Sequence, residues 1–212
     1  DVDRSRGLGD VYKRQTAFMD SIPMIVISGQ VQSHLIGSDA FQETDMIGVS
    51  RPIVKHSFTV DKQENIARIV KEAFHIATSG RQGPVVIDVP KDLTNPDDLF
   101  DFNYPSKANI RSYNPPTKPE NHQVARAVDA ILAAERPVIY AGGGTIASNA
   151  SDELRELNEL IDFPVTNTLM GLGVYPGTGK RFLGMLGMHG TYQANMAMHN
   201  ADLIIAVGAR FD

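Results

Sequence analysis

Three consecutive glycines, Gly142, Gly143 and Gly144, followed by Thr145, Ile146 and Ala147, satisfy a G-x-G-x-x-A spacing between a strand-like and a helix-like run. Backbone without Cβ atoms can approach a pyrophosphate closely, and a helix N-terminus favours anionic oxygens. The same triplet also serves as a plain tight turn, so both readings stand at this point. Asp162, at the distance of a ribose-binding acid, equally ends a helix and carries no weight alone. Arg81 lies between a helix end and a strand, where a guanidinium either caps carbonyls or bonds a cofactor phosphate or ring. His189 and His199 stand apart from any carboxylate-rich cluster, and no metal site is expected. Asp39 and Glu43 are spaced as a carboxylate pair or, more commonly, as the solvated start of a helix. Met185, Met188, Met196 and Met198 form a soft set that suits a core or a ligand wall.

The elements that must position these residues are readable from periodicity. Ile22 to Ser28 is a continuous apolar run closed by Gly29, the pattern of a strand buried on both faces. Ile66, Ile69, Val70, Ala73, Phe74 and Ala77 recur at helical spacing over 65–79, with Arg68, Lys71 and Glu72 on the other side. Gly80 stops that helix, and Val85 to Val89 forms the next strand. From Asp92 to Pro119 prolines interrupt polar residues, which predicts an interdomain linker over 92–119. A second region, 120–212, opens with a helix whose face is Val124, Ala127, Val128, Ile131 and Leu132. It continues with strand Val138 to Ala141, helix Ser151 to Ile161, strand Pro164 to Asn167, a Gly-rich stretch over 171–190, helix Tyr192 to Asn200 and strand Leu203 to Val207. The alternation predicts α/β architecture, parts of two doubly wound domains with mostly parallel sheets.

Composition narrows the function. Twenty-five acidic against twenty basic residues give a net charge of −5 with no basic block, which argues against nucleic-acid binding. Cysteine is absent, which removes disulfides, thiolate metal sites and thiol nucleophiles together. The apolar runs fall far short of the ~20 residues needed to cross a bilayer.

Met19-Asp-Ser-Ile-Pro-Met-Ile-Val-Ile-Ser-Gly-Gln30 and Ile36-Gly-Ser-Asp-Ala-Phe-Gln-Glu43 closely resemble the acetolactate synthase (acetohydroxyacid synthase) family of thiamine-diphosphate enzymes. So do Gly80-Arg-Gln-Gly-Pro-Val-Val-Ile-Asp-Val-Pro-Lys-Asp92, Thr168-Leu-Met-Gly-Leu-Gly173, Met185-Leu-Gly-Met-His-Gly-Thr191 and Val207-Gly-Ala-Arg-Phe-Asp212. These matches run in order from Thr16 to Asp212. The resemblance implies decarboxylating condensation of two 2-oxoacids in branched-chain amino-acid synthesis, with thiamine diphosphate, Mg²⁺ and FAD as cofactors. It also implies a cytoplasmic homodimer or tetramer, with a small regulatory subunit as a candidate partner. Residues 16–91 would be the later part of the pyrimidine-binding domain, and 120–212 the first part of the central, FAD-binding domain.

By matching position, Arg81, Gly142, Gly143, Gly144, Thr168, Leu169, Met170, Leu186, Gly187, Met188, His189, Gly190, Gly208, Ala209, Arg210 and Asp212 would lie along FAD. Gln32, Phe41, Gln42, Lys91 and Met188 would line the substrate channel, where an amide and an ammonium orient a 2-oxoacid carboxylate and apolar groups accept its side chain. The family's catalytic glutamate would lie upstream of Thr16, and its diphosphate and Mg²⁺ site beyond Asp212, so this chain alone is expected to be inactive. A related carboligase acting on glyoxylate, or a noncatalytic flavin- or nucleotide-binding module, are the alternatives.

Two departures stand out. Gln32 occupies a position where the family usually has proline at the channel mouth contacted by herbicidal inhibitors, which predicts reduced sulfonylurea sensitivity. Residues 1–15 read as neither strand, helix nor signal peptide. Asp10-Val-Tyr-Lys-Arg-Gln15 coincides with the translation of GATGTGTATAAGAGACAG, a transposase end used in preparing sequencing libraries, so 1–15 are expected to be a non-native leader.

Overall fold

A computed structural model describes residues 8–211, which divide into two compact units, 8–117 and 118–211. Helix α1 (Leu8–Met19) leads into strand β1 (Met24–Gln30), followed by α2 (Met46–Ser50), β2 (His56–Thr59), α3 (Ile66–Thr78) and β3 (Pro84–Pro90). The strands form one parallel sheet in the order β1-β3-β2. The sequence Pro84 to Asp88 is buried at every residue, which explains the apolar run Pro84 to Ile87: β3 is central and packed on both faces, with Asp88 its one buried charge. Helix α3 lays Ile69, Ala73, Ile76 and Ala77 against Val85 and Ile87. Each large aliphatic side chain so buried contributes about 1.5–3 kcal/mol.

The second unit runs α4 (Asn121–Ala133), β4 (Pro137–Ala141), α5 (Gly143–Ala147), α6 (Ser151–Ile161), β5 (Val165–Asn167), β6 (Phe182–Met185), α7 (Tyr192–Asn200) and β7 (Leu203–Val207). Its sheet is also parallel throughout, ordered β6-β5-β4-β7. Ile139, Ala141, Leu154, Val165 and Val174 make its core. The α/β architecture with parallel sheets is therefore as expected.

Several local expectations need correction. Residues 8–15, read as lacking helical pattern, form most of α1. The helix is tied to residues outside its own sequence by Arg14, which pairs with Asp10 one turn before it at 2.5 Å and donates to Ser50 Oγ. Arg14 is only 1% exposed, and its Nε lacks a partner. Glu72, assigned to the solvent side of α3, is buried and is reached by Arg68 at 2.9 Å. The α4 stripe does form, but Val124, Val128 and Leu132 on it are exposed. Strands β2 and β6 carried no signal: His56-Ser-Phe-Thr59 is a short edge strand and Phe182-Leu-Gly-Met185 is interrupted by glycine. After β3 the chain stays with the first unit as far as Thr117, and Ile110 and Tyr113 pack on its core.

Candidate functional site

In the second unit the residues singled out from sequence collect at one end of the sheet. Gly142–Gly144 follow β4, Thr168–Met170 follow β5, Leu186–Gly190 follow β6 and Gly208–Arg210 follow β7. This is the carboxyl end of a parallel sheet, where α/β folds place ligands. Asp212 lies outside the described residues.

The glycine triplet is shaped by the protein itself. A Cβ on Gly142 would stand 2.3 Å from the Gly208 carbonyl oxygen, and one on Gly208, at φ +60°, would stand 2.3 Å from the Thr145 nitrogen. Gly142 N–H donates to Val207 O (2.9 Å), Gly144 N–H to Gly208 O (3.0 Å) and Thr145 N–H to Gly142 O (3.1 Å). Those three amides are thus committed internally and are not offered to a pyrophosphate. The tight-turn reading accounts for the triplet, whose glycines let the ends of β4 and β7 approach each other.

The neighbouring loops are secured in the same way. Thr168 N–H donates to Ala141 O (2.9 Å), and Thr168 Oγ1 accepts from Gly171 N–H (3.0 Å). Asn195, which sequence reasoning missed, clamps the next loop: its Oδ1 accepts from Gly187 N–H (3.1 Å) and its Nδ2 donates to Gly187 O (3.0 Å). Around this rim Leu169, Met170 and Met188 are exposed, and the buried Asn167 Oδ1 has no protein partner. Apolar side chains beside an unsatisfied acceptor suit a planar heteroaromatic group such as those of FAD. The amides of Gly142, Gly144 and Thr145 do not suit its diphosphate.

Asp162 is at the opposite end of this sheet. It occupies the left-handed C-cap of α6 just before β5 and is bonded to Arg181 (Nε to Oδ1, 2.6 Å), which holds its carboxyl below the usual range. A ribose role at the strand ends is excluded by that position. A hollow of about 660 Å³ lies at this same end, lined by Pro137, Ile161, Asp162, Pro164 and Met196, and includes none of the residues expected along FAD or in the substrate channel. Its walls are the entries to strands, so it lacks the converging loops that chemistry requires.

In the first unit, Gln32, Phe41 and Gln42 belong to the loop from Val31 to Asp45 after β1, and Lys91 follows β3. Phe41 is 90% exposed, and Gln42 adopts a left-handed φ of +66°. Asp39 and Glu43 do not begin a helix. Glu43 instead accepts backbone N–H bonds from Gly37 and Ala40 (2.9 Å), which lower its carboxyl pKa. Lys91 lines an apolar groove of about 600 Å³ with Ile27, Ile66, Val70 and Ile87, and neither Phe41 nor Gln42 lines it. Arg81 donates to Phe18 O (2.9 Å) and Ser21 Oγ (3.1 Å) and stacks 5.2 Å from the Phe18 ring. It caps the last turn of α1 rather than α3, whose C-terminal carbonyls are taken by Lys55. Among the described residues no group of three His, Cys, Asp or Glu could hold a metal, and no helix is long and apolar enough to cross a membrane.

Residues 124–212 match the family described as the thiamine pyrophosphate enzyme central domain. Over 197 residues, 93% of this chain, the sequence is 61% identical to the acetolactate synthase large subunit of Buchnera aphidicola from Acyrthosiphon pisum, covering 34% of that protein. It is 54% identical over the same share to the isozyme 3 large subunit of Escherichia coli, again covering 34%. The fold matches an X-ray structure from Mycobacterium smegmatis, provisionally described as a thiamin diphosphate-dependent enzyme, with TM-score 0.74 and 23% identity over 94% of this chain and 38% of that one. The chain spans about a third of the length of the curated relatives it matches. Across that third the chain is similar to acetolactate synthase large subunits, and its residues 124–212 match the thiamine pyrophosphate enzyme central domain.

Proposed function

We propose that this chain is a piece of a complete acetolactate synthase that condenses two 2-oxoacids with loss of carbon dioxide, pyruvate with a second pyruvate or with 2-oxobutyrate. The observation that carries this reading is 54–61% identity to acetolactate synthase large subunits over 93% of the chain. Glyoxylate carboligase and a noncatalytic flavin module account less well for identity that extends through both units. Thiamine diphosphate, when bound with Mg²⁺, supplies the electron sink for decarboxylation, and its diphosphate would be held by parts of the protein beyond this stretch. The Lys91 ammonium and the Gln42 amide would orient a 2-oxoacid carboxylate, while Phe41 presents apolar surface to its alkyl group and excludes water. FAD would lie along the strand ends of the second unit, its ring systems against Leu169, Met170 and Met188. The positions at Gly142 to Gly144 would shape that surface rather than bind the diphosphate by their amides.

Residues 1–15 fit a non-native leader: the relatives align over 197 residues, the length of Thr16 to Asp212. The full protein would be a cytoplasmic homodimer or tetramer with a small regulatory subunit. The test is to recover the complete coding sequence from the source DNA and assay the purified product with pyruvate, thiamine diphosphate, Mg²⁺ and FAD. Acetolactate formation with matching release of carbon dioxide is expected; turnover of glyoxylate in preference, or no product, would overturn the reading. The 212-residue chain alone is expected to form none.

A further inference from the structure

The loop from Val31 to Asp45 leaves β1 and carries Gln32, Phe41 and Gln42, yet it has little core of its own: Phe41 and Gln42 are exposed, and Asp39 (φ +60°) and Gln42 (φ +66°) adopt the left-handed conformation disfavoured for residues with a Cβ. A segment so placed persists only when its surroundings over-determine it. Three carboxylates do so. At the entry, Asp92, one residue past Lys91, accepts from Ser33 N–H (2.8 Å) and Ser33 Oγ (3.1 Å). In the middle, Glu43 folds back to accept from Gly37 N–H and from Ala40 N–H (2.9 Å).

The third acts through an amide. Asp88, buried in β3, accepts from Ser28 Oγ (2.6 Å) with one oxygen and from Gln30 Nε2 (3.0 Å) with the other. Gln30 then spans both ends of the loop: its Nε2 donates to Thr44 O (2.7 Å) and its Oε1 accepts from Val31 N–H (2.9 Å). Both outer anchors, Asp88 and Asp92, flank Lys91 on the same stretch of chain. The loop and the lysine are thereby referred to one frame, the carboxyl end of β3.

We propose that Asp88, Asp92 and Glu43 are positioning residues that pin the Val31–Asp45 loop and so fix Phe41 and Gln42 relative to Lys91 for 2-oxoacid binding. The proposal rests on the carboligase reading above. Misplacement of reacting groups by about 1 Å can cost on the order of a hundredfold in rate.

The test uses the complete chain, with Asp92→Ala and Glu43→Ala, both exposed enough to fold, against Asp92→Asn and Glu43→Gln, which each keep an acceptor oxygen. Hydrogen exchange of residues 31–45 reads the pinning, and kcat and KM for pyruvate read its consequence. The alanine variants should exchange at least about tenfold faster in this loop and lose at least about tenfold in kcat/KM. The Asn and Gln variants should recover most of both. A purely structural role would lower active yield and melting temperature with KM unchanged, and that result would overturn the proposal. Unchanged exchange in the alanine variants would overturn it too. Should the wild-type chain form no acetolactate, the functional reading fails, and exchange alone then decides whether the carboxylates pin the loop.

Discussion

The two units bring candidate site residues to the carboxyl ends of parallel strands, but they hold those ends by different chemistry. In the first unit the loop after β1 is tied by side-chain acceptors, with Asp88, Asp92 and Glu43 taking N–H and O–H bonds. In the second unit the loops after β4 and β7 are tied by backbone to backbone, through Gly142, Gly144 and Gly208 at separations that admit no Cβ. The first arrangement depends on having particular side chains, and the second on having none. Loss of one acceptor should loosen a loop locally, whereas one added methyl at the glycine contact must push strands apart.

The largest effect should therefore follow Gly208→Ala. Left-handed backbone costs about 1–3 kcal/mol for a residue with a Cβ, and overpacking against Thr145 adds about 1–3 kcal/mol. Urea unfolding should show the second unit destabilised with the first unchanged; a shift within measurement error would remove the steric account of the triplet. Next comes Asp88→Ala, which leaves the half-buried donors of Ser28 and Gln30 without their acceptor at about 1–3 kcal/mol. Exchange across the Val31–Asp45 loop should rise in that variant while the second unit stays protected. Equal loosening of both units would break the comparison.

A smaller effect of opposite sign is expected at Gln32. Its φ of −57° and ψ of 146° already suit proline, so Gln32→Pro should stabilise the loop by about 0.4–1 kcal/mol through the unfolded state. In the complete enzyme it should also restore sulfonylurea sensitivity; unchanged inhibition would dismiss Gln32 as the determinant.

The gentlest probe is pH. Glu43 is held below the ordinary carboxylate range by the amides of Gly37 and Ala40, and Asp92 by the amide of Ser33. A depressed folded pKa means a contribution fully present above the unfolded value and lost as pH falls through the folded one. Intrinsic-rate-corrected protection of the first unit's loop should accordingly hold from neutrality through the ordinary carboxylate range and fall below it. The backbone-tied glycine loop should show no such step. Parallel loss in both loops would show that the acid response is global unfolding.

Much of this was legible beforehand where burial and periodicity agree. Ser151–Ile161, Tyr192–Asn200 and Leu203–Val207 appear with the boundaries read from pattern, because the leucine stripe of the first, the Thr191 cap before the second and the apolar run of the third are all local in sequence. Strand β2 and helix α1 were not legible, since His56–Thr59 is stabilised by pairing with β3 and α1 by the reach of Arg14 to Ser50. The candidate site divides similarly. Gly142, Thr168, Leu186 and Gly208 were singled out from the sequence and follow strands of one sheet, while the bonds made by Asn195, Lys55 and Asp88 were not anticipated, because a partner remote in sequence leaves no local mark.

Residue order alone determined the alternation of strand and helix, the parallel α/β class and the kinship with acetolactate synthases, since all three reside in local pattern and collinear motifs. Only the tertiary structure decided which way polar groups face. It turned the Gly142, Gly144 and Thr145 amides inward, committed Arg81 to the end of α1, moved Asp162 to the wrong end of its sheet and brought three carboxylates to one loop. Hydrogen bonds are directional and short, so partners far apart in sequence are chosen by the packed fold and not by the spacing that first draws attention to them.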